Sequence, residues 1–159
     1  MTGRSATEDR ADPLGAGVHP VQREEMGRLV EVWEASVRAT HHFLREADIE
    51  RFRTVVRDDL FDALPLFCVR DRDEVLVAFS GVDGGRLEAL FVHPDWRGTG
   101  IGRRLVRHAV DELGATSVDV NEQNEQAVGF YRRMGFDVAG RSALDEMGLP
   151  YPILHMRLG

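Results

Sequence analysis

Apolar side chains change their period twice along this chain, and the changes mark out its elements. Met26, Leu29, Val30, Trp33 and Val37 recur at steps of three and four, the repeat of one helix face, which predicts a helix over 23–40. Ile49, Phe52, Val55, Val56 and Leu60 predict a second over 47–60. The pattern then shortens. Residues 66–70, 75–82 and 87–92 are runs rich in Val, Leu and Phe, separated by the turn sequences Asp71-Arg72-Asp73-Glu74 and Asp83-Gly84-Gly85-Arg86. Three strands so closely spaced predict an antiparallel meander. Helical spacing returns over 100–113 and stops at Gly114, before a strand at 117–120, a helix at 124–134 and strands at 136–141 and 153–157. A strand, a helix and a strand in succession predict a right-handed crossover, so 87–92 and 117–120 are expected to run parallel. Residues 14–21 read as a short first strand interrupted by glycines. The expected class is mixed α/β, a mixed sheet with helices on both faces.

Composition narrows what such a fold does. A chain of 159 residues, 43% apolar, is one ordinary domain, expected over 15–159 behind a polar leader that ends at about Leu14 or Gly15. No apolar run approaches membrane-spanning length, so no membrane role is expected. The lone Cys68 lies in an apolar run and reads as a small buried thiol, with neither disulfide nor zinc framework, which fits a reducing cytoplasm. A net charge of −7 argues against nucleic acid as partner. All 20 basic residues are Arg, so a chain that acylates lysines could not modify its own side chains. Arg97, Arg103, Arg104 and Arg107 crowd one segment while the remainder is acidic, which predicts an anionic ligand at one end of a cleft and a cationic amine at the other.

That basic segment is Arg97-Gly98-Thr99-Gly100-Ile101-Gly102, placed after an apolar strand and at the head of a helix. Glycines there let backbone N–H groups close on an anion where aligned peptide dipoles favour negative charge. A ligand-free turn is the plain alternative. A dinucleotide site would use Asp119 on the ribose, but Arg103 stands where its third glycine belongs and a meander comes first. A P-loop would need Gly-Lys-Ser/Thr, which is absent.

With Val92 and Pro94 ahead of it, the segment resembles the acyl-CoA loop of the GCN5-related N-acetyltransferase (GNAT) superfamily. Asn124, Ala127, Tyr131, Gly135 and Phe136 match a second motif of that family, on the helix after its fifth strand. Residues 39–44, 120–127 and 148–152 are similar to YjaB-type bacterial members, so the resemblance spans 18–158. It implies a six- to seven-stranded sheet whose parallel fourth and fifth strands splay apart. It also implies acetyl-CoA as co-substrate, with Leu90, Phe91 and Val92 pairing the pantetheine arm and Arg97, Gly98, Thr99, Gly100, Ile101, Gly102 and Arg103 holding the pyrophosphate. Asn124 would contact the pantetheine and Phe130 would border its lower end, while Val92 and Val120 would flank the thioester.

The implied chemistry is direct attack of a neutral amine on the thioester. An amine with a pKa of about 10.4 must first lose a proton, so a base is needed. Regular alternation puts Leu87, Ala89 and Phe91 on one face and Glu88, Leu90 and Val92 on the other, making Glu88 a carboxylate on an apolar central strand and the candidate base. The plain alternative for Glu88 is a rim acid paired with an Arg. Tyr131 matches the family's general acid, against a plain role as packing beside Phe130. Thr40, His41, Phe43, Asn121 and Tyr151 are candidates for the acceptor pocket, with His41 facing it in preference to His42. His19, His93, His108 and His155 show no ligand spacing, so no metal is assigned. The reading is an N-acetyltransferase acting on a small amine or a protein lysine, as monomer or homodimer. A non-catalytic acyl-CoA sensor and a nucleotide-dependent oxidoreductase are the competing classes.

Overall fold

In the computed structural model, which describes residues 14–159, the chain opens with a two-residue strand β1 (His19–Pro20), a 3-10 turn (Arg23–Glu25) and helices α1 (Met26–Thr40) and α2 (Glu46–Ala63). Strands β2 (Leu66–Arg70), β3 (Leu76–Asp83) and β4 (Arg86–Val92) follow, then a second 3-10 turn (Pro94–Trp96) and helix α3 (Ile101–Asp111). Strand β5 (Ser117–Asn121), helix α4 (Glu125–Arg133) and strands β6 (Phe136–Ser142) and β7 (Ile153–Leu158) complete it. One seven-stranded sheet runs β1-β2-β3-β4-β5-β7-β6. The meander of β2 to β4 is antiparallel and β4 pairs β5 in parallel, as the spacing predicts. Among the described residues no helix is long and apolar enough to cross a membrane.

The two faces are covered by different helices because the strands alternate. Leu29, Val32, Trp33 and Val37 of α1 and Ile49 and Val56 of α2 pack on Leu66, Cys68, Phe79 and Ala89. Ile101 and Leu105 of α3 pack on Val69, Val77 and Ala78 of the opposite face. Val106 and Ala109 join Tyr131 of α4 on Val118, Val120, Phe136 and Met156. Cys68 is fully buried, and its surroundings push the thiol up to about 11, so it is inert packing. Leu14 and Gly15, at the expected end of the leader, belong to the fold. Leu14 is buried and bridges Asp71, and Gly15 N–H donates to Arg70 O at 2.9 Å. The rest of the expected leader lies outside the described residues.

Regular alternation fails in β4, and the failure shapes the molecule. Gly81 pairs Ala89 while the next residue, Val82, pairs Leu87, which leaves Glu88 as an extra, bulged residue. Leu87 therefore joins Leu90 against α3 and α4, while Ala89 and Phe91 turn towards α1 and α2. Glu88 does not share a buried face with Leu90 and Val92, as alternation predicts; it is exposed at the bulge. Pairing with β5 stops there too, being confined to Arg86 with Ser117 and Leu87 with Val118. A bulge bends and twists its strand, so β4 leaves β5 at this point and the parallel pair opens into a wedge.

Candidate active site

Two cavities meet at the wedge. The larger, about 540 Å³, runs between the open edge of β4 and the N-termini of α3 and α4. Leu90, Phe91 and Val92 line it with Arg97, Gly98, Gly100, Ile101, Gly102, Arg103, Asn124, Phe130 and Tyr131, all expected at an acyl-CoA site. Because β5 no longer pairs with it, this edge of β4 has backbone groups available to an extended ligand. Gly98 and Gly100 have φ of 72° and 84°, a left-handed conformation costly to residues with a Cβ, and neither position has an atom within 4 Å of where a Cβ would sit. This is an empty-sided cradle ahead of the unpaired N–H groups of α3's first turn, suited to a diphosphate.

The cationic wall differs from the expected one. Arg97 and Arg103 line the cavity, and Arg97 Nη1 also donates to Gln126 Oε1 at 3.2 Å, tying the loop to α4. Arg104 turns away and donates to Gly15 O at 3.1 Å, so it holds the N-terminal segment instead. Arg107 lies outside the cavity lining, on the exposed side of α3. Arg133 takes their place. Sequence reasoning missed it, although Gly129 four residues earlier is the signal: a Cβ there would stand 3.3 Å from Arg133 Nη1. Thr99 also departs from expectation, since its hydroxyl donates to Trp96 O and closes the turn outside the cavity lining.

Asn124 is buried at the head of α4, where its Oδ1 accepts from Ala127 N–H at 3.2 Å while the residue lines the cavity. Capping and lining are thus served together. Tyr131 is buried edge-on against Phe130 and Phe136, with centroids 5.1 and 5.8 Å away. Burial pushes its hydroxyl above the ordinary phenol range, so it stays protonated and able to donate.

The smaller cavity, about 370 Å³, lies between α1, α2 and the far side of the wedge. Trp33, Val37, Phe52 and Leu60 give it apolar walls, and Glu88, Asp119, Asp145 and Glu146 bring carboxylates to it. Arg86 ties three of these acids together, donating from Nε to Glu88 Oε1 at 2.7 Å and from Nη1 to Asp119 Oδ2 at 3.3 Å, with Glu146 Oε1 3.6 Å from Nη2. Asn121 and Tyr151, two of the residues expected at an acceptor pocket, line the same cavity. Tyr151 is buried and its hydroxyl donates to Asp48, a buried carboxylate that also accepts from Arg45 Nε at 3.0 Å. Phe43 lines neither cavity; its ring is a spacer, 5.3 Å from His41 and 5.7 Å from Tyr151. Val120 is likewise core, not a wall of the gap. Trp33 is core and also presents an edge to the cavity. No cluster of three or more His, Cys, Asp or Glu able to hold a metal occurs among the described residues.

His41 lines both cavities, with Thr40 beside it in the larger one, while His42 is exposed. Burial, then the charges of Arg97 and His42, lower the His41 pKa from 6.5 to about 4. The unfolded chain therefore takes up a proton on this ring from about pH 6.5 downwards, and the folded chain only near pH 4. Stability attributable to His41 is complete above pH 6.5 and is lost as pH falls towards 4. His41→Gln is expected to reduce the drop in thermal midpoint between pH 7 and 5; an equal drop in both proteins would contradict the burial argument.

Residues 64–138 match the family described as Acetyltransferase (GNAT) domain. The chain is 45% identical over 135 residues to the peptidyl-lysine N-acetyltransferase YjaB of Salmonella typhimurium, covering 85% of this chain and 92% of that protein. The solution structure of apo-form YjaB from Escherichia coli is similar with a TM-score of 0.82 at 40% identity, covering 89% of this chain and 95% of the other. PaiA N-acetyltransferase from Thermoplasma acidophilum, solved in complex with coenzyme A, shares the fold at a TM-score of 0.70 and 19% identity, with 89% and 98% covered. These likenesses favour catalysis over a silent acyl-CoA sensor. The diphosphate cradle and open β4 edge have the chemistry acetyl-CoA needs, and the chain aligns over most of its length with acetyltransferases: it belongs to the GNAT family and is an acetyl-CoA-dependent N-acetyltransferase.

Proposed function

We propose that the acceptor is a lysine side chain of a peptide or protein, with Glu88 receiving its surplus proton and Tyr131 protonating the departing thiolate. The observation that carries this reading is the lining of the second cavity. Its apolar walls suit a four-carbon stem, and its carboxylates favour a cationic head over a neutral or anionic one. The resemblance to peptidyl-lysine acetyltransferases supports the same acceptor.

In this reading the ammonium head enters the smaller cavity and gives one proton to Glu88, directly or through water, and the neutral amine meets the thioester held along Leu90, Phe91 and Val92. The new nitrogen–carbon bond forms as the thioester carbonyl takes up negative charge, and the carbon–sulfur bond then breaks. Tyr131 supplies the proton to sulfur, and the second proton shed by nitrogen passes to water, from which the Tyr131 hydroxyl is restored. Pairing with Arg86 does not disqualify Glu88, because Arg86 divides its charge among Glu88, Asp119 and Glu146.

The test is a coenzyme A release assay over lysine peptides, polyamines, aminoglycosides and free amino acids, with mass analysis of the product. The chain has no Lys, so every acetyl-lysine found comes from the added substrate. Lysine peptides are expected to exceed background hydrolysis and the small amines. Glu88→Gln is expected to lower kcat with peptide about 30-fold, short of the usual loss for a proton-transfer group because water can take part of the proton flux. Turnover with small amines alone would overturn the lysine assignment, and an unchanged kcat in Glu88→Gln would overturn the base.

A further inference from the structure

The two cavities share two lining side chains, Phe91 and His41. Phe91 offers carbon only, so His41 is the shared side chain able to hydrogen-bond at the passage between the donor and the acceptor.

A chain of contacts settles what its ring presents there. Thr40 Oγ1 donates to Ser36 O at 2.8 Å, the bond a helical Thr makes to the carbonyl one turn earlier. A hydroxyl has one hydrogen, and here it is spent on Ser36. The 2.8 Å contact between Thr40 Oγ1 and His41 Nδ1 must then be filled by a hydrogen on Nδ1. That fixes the tautomer and leaves Nε2 as an unprotonated acceptor. The ring is also held in place: His41 N–H donates to Val37 O at 2.7 Å, and Phe43 packs against the imidazole with Tyr151 behind it. Burial keeps the imidazole neutral at neutral pH, so the acceptor persists beside the guanidinium of Arg97.

We propose that His41 Nε2 accepts a hydrogen bond from an N–H of the incoming amine at the passage between the cavities, and that Thr40 is the positioning residue that holds the ring in this tautomer. The proposal rests on the smaller cavity being the acceptor channel. An amine nitrogen that gives one N–H to Nε2 has its remaining directions restricted, and its lone pair is turned towards the thioester held on β4. His41 takes no net proton in the cycle; the surplus proton still leaves through Glu88. The gain is orientation, which tightens the acceptor without altering the grip on acetyl-CoA.

The experiment compares wild type with His41→Leu, His41→Asn, His41→Gln, Thr40→Val and Thr40→Ser, each checked by thermal midpoint, measuring kcat and KM separately for acceptor and acetyl-CoA. A glutamine amide reaches about as far as Nε2 and an asparagine amide about as far as Nδ1. His41→Leu and His41→Asn are expected to lower kcat/KM for the amine about tenfold, the worth of one hydrogen bond, with the acetyl-CoA KM unchanged. His41→Gln should recover most of that loss. Thr40→Val should lose about threefold through the freed tautomer, and Thr40→Ser should match wild type. Wild-type amine kinetics in His41→Leu, or equal loss in His41→Gln and His41→Asn, would overturn the proposal. So would Thr40→Val kinetics equal to those of Thr40→Ser, a comparison that stands even if a His41 variant fails to fold. If wild type ignores lysine peptides, the lysine assignment fails on its own, and the same series is read with the small amine the enzyme accepts.

Discussion

Tyr131→Phe is expected to lower kcat about 100-fold at saturating acetyl-CoA while leaving the fold and the acetyl-CoA KM intact. The ring is a packing element, edge-on to Phe130 and Phe136, and phenylalanine preserves every one of those contacts. Only the hydroxyl is lost. Burial raises the pKa of that hydroxyl, so it stays protonated and can donate to the thiolate that forms as the carbon–sulfur bond breaks. Without the donor the thiolate must leave unprotonated, and a factor of 100 corresponds to about 2.7 kcal/mol in the barrier. Steady-state release of coenzyme A, with thermal midpoints as the control for folding, measures the effect. Unchanged turnover would reduce Tyr131 to packing.

Asp48→Ala is expected to lower the thermal midpoint by about 5–10 °C and to raise the acceptor KM several-fold with little change for acetyl-CoA. Asp48 is 4% exposed and joins the start of α2 to the loop before β7, accepting from the Tyr151 hydroxyl and from Arg45. Its loss leaves the hydroxyl of Tyr151 buried without this partner and frees a wall of the smaller cavity. The hydrogen bond from Tyr151, and then that from Arg45, hold the Asp48 carboxyl below the usual carboxylate range. Its contribution is therefore present at neutral pH and is lost on acidification through that lowered value. In a Tyr151→Phe background, which already lacks the hydroxyl, Asp48→Ala should cost clearly less than in wild type. Equal costs in both backgrounds would show that the two residues are not coupled.

Much of the donor side was legible in the sequence. Gly98, Gly100 and Gly102 announce a backbone that must approach a ligand, and helical spacing after a strand says where the amides point. Asn124 and Tyr131 fall on one motif whose spacing brings them to the same cavity. The acceptor side was legible only as a set of residues. His41, Asn121 and Tyr151 were nameable, but Thr40 lines the larger cavity and not the smaller, and His41 as the shared wall of two cavities depends on how α1 crosses the open end of β4. Phe43 and Thr99 fall outside the lining of both cavities because neighbours in sequence need not face one space. Arg104 turns away and the unexpected Arg133 lines the cavity for the same reason: charge clustering shows which residues are near, not which way they turn.

The sequence by itself determined the elements, the parallel crossover and the anion cradle, because hydrophobic period, helix stops and glycine freedom act over a few residues. Tertiary structure alone decided the bulge at Glu88, the opening of the wedge and the tautomer of His41. Each of these depends on partners distant in sequence or across a turn: β3 offering one residue where β4 has two, β5 departing after Leu87, and a Thr hydroxyl already committed to Ser36. Strand alternation is a local rule, and pairing between strands overrode it at the position where the candidate base stands.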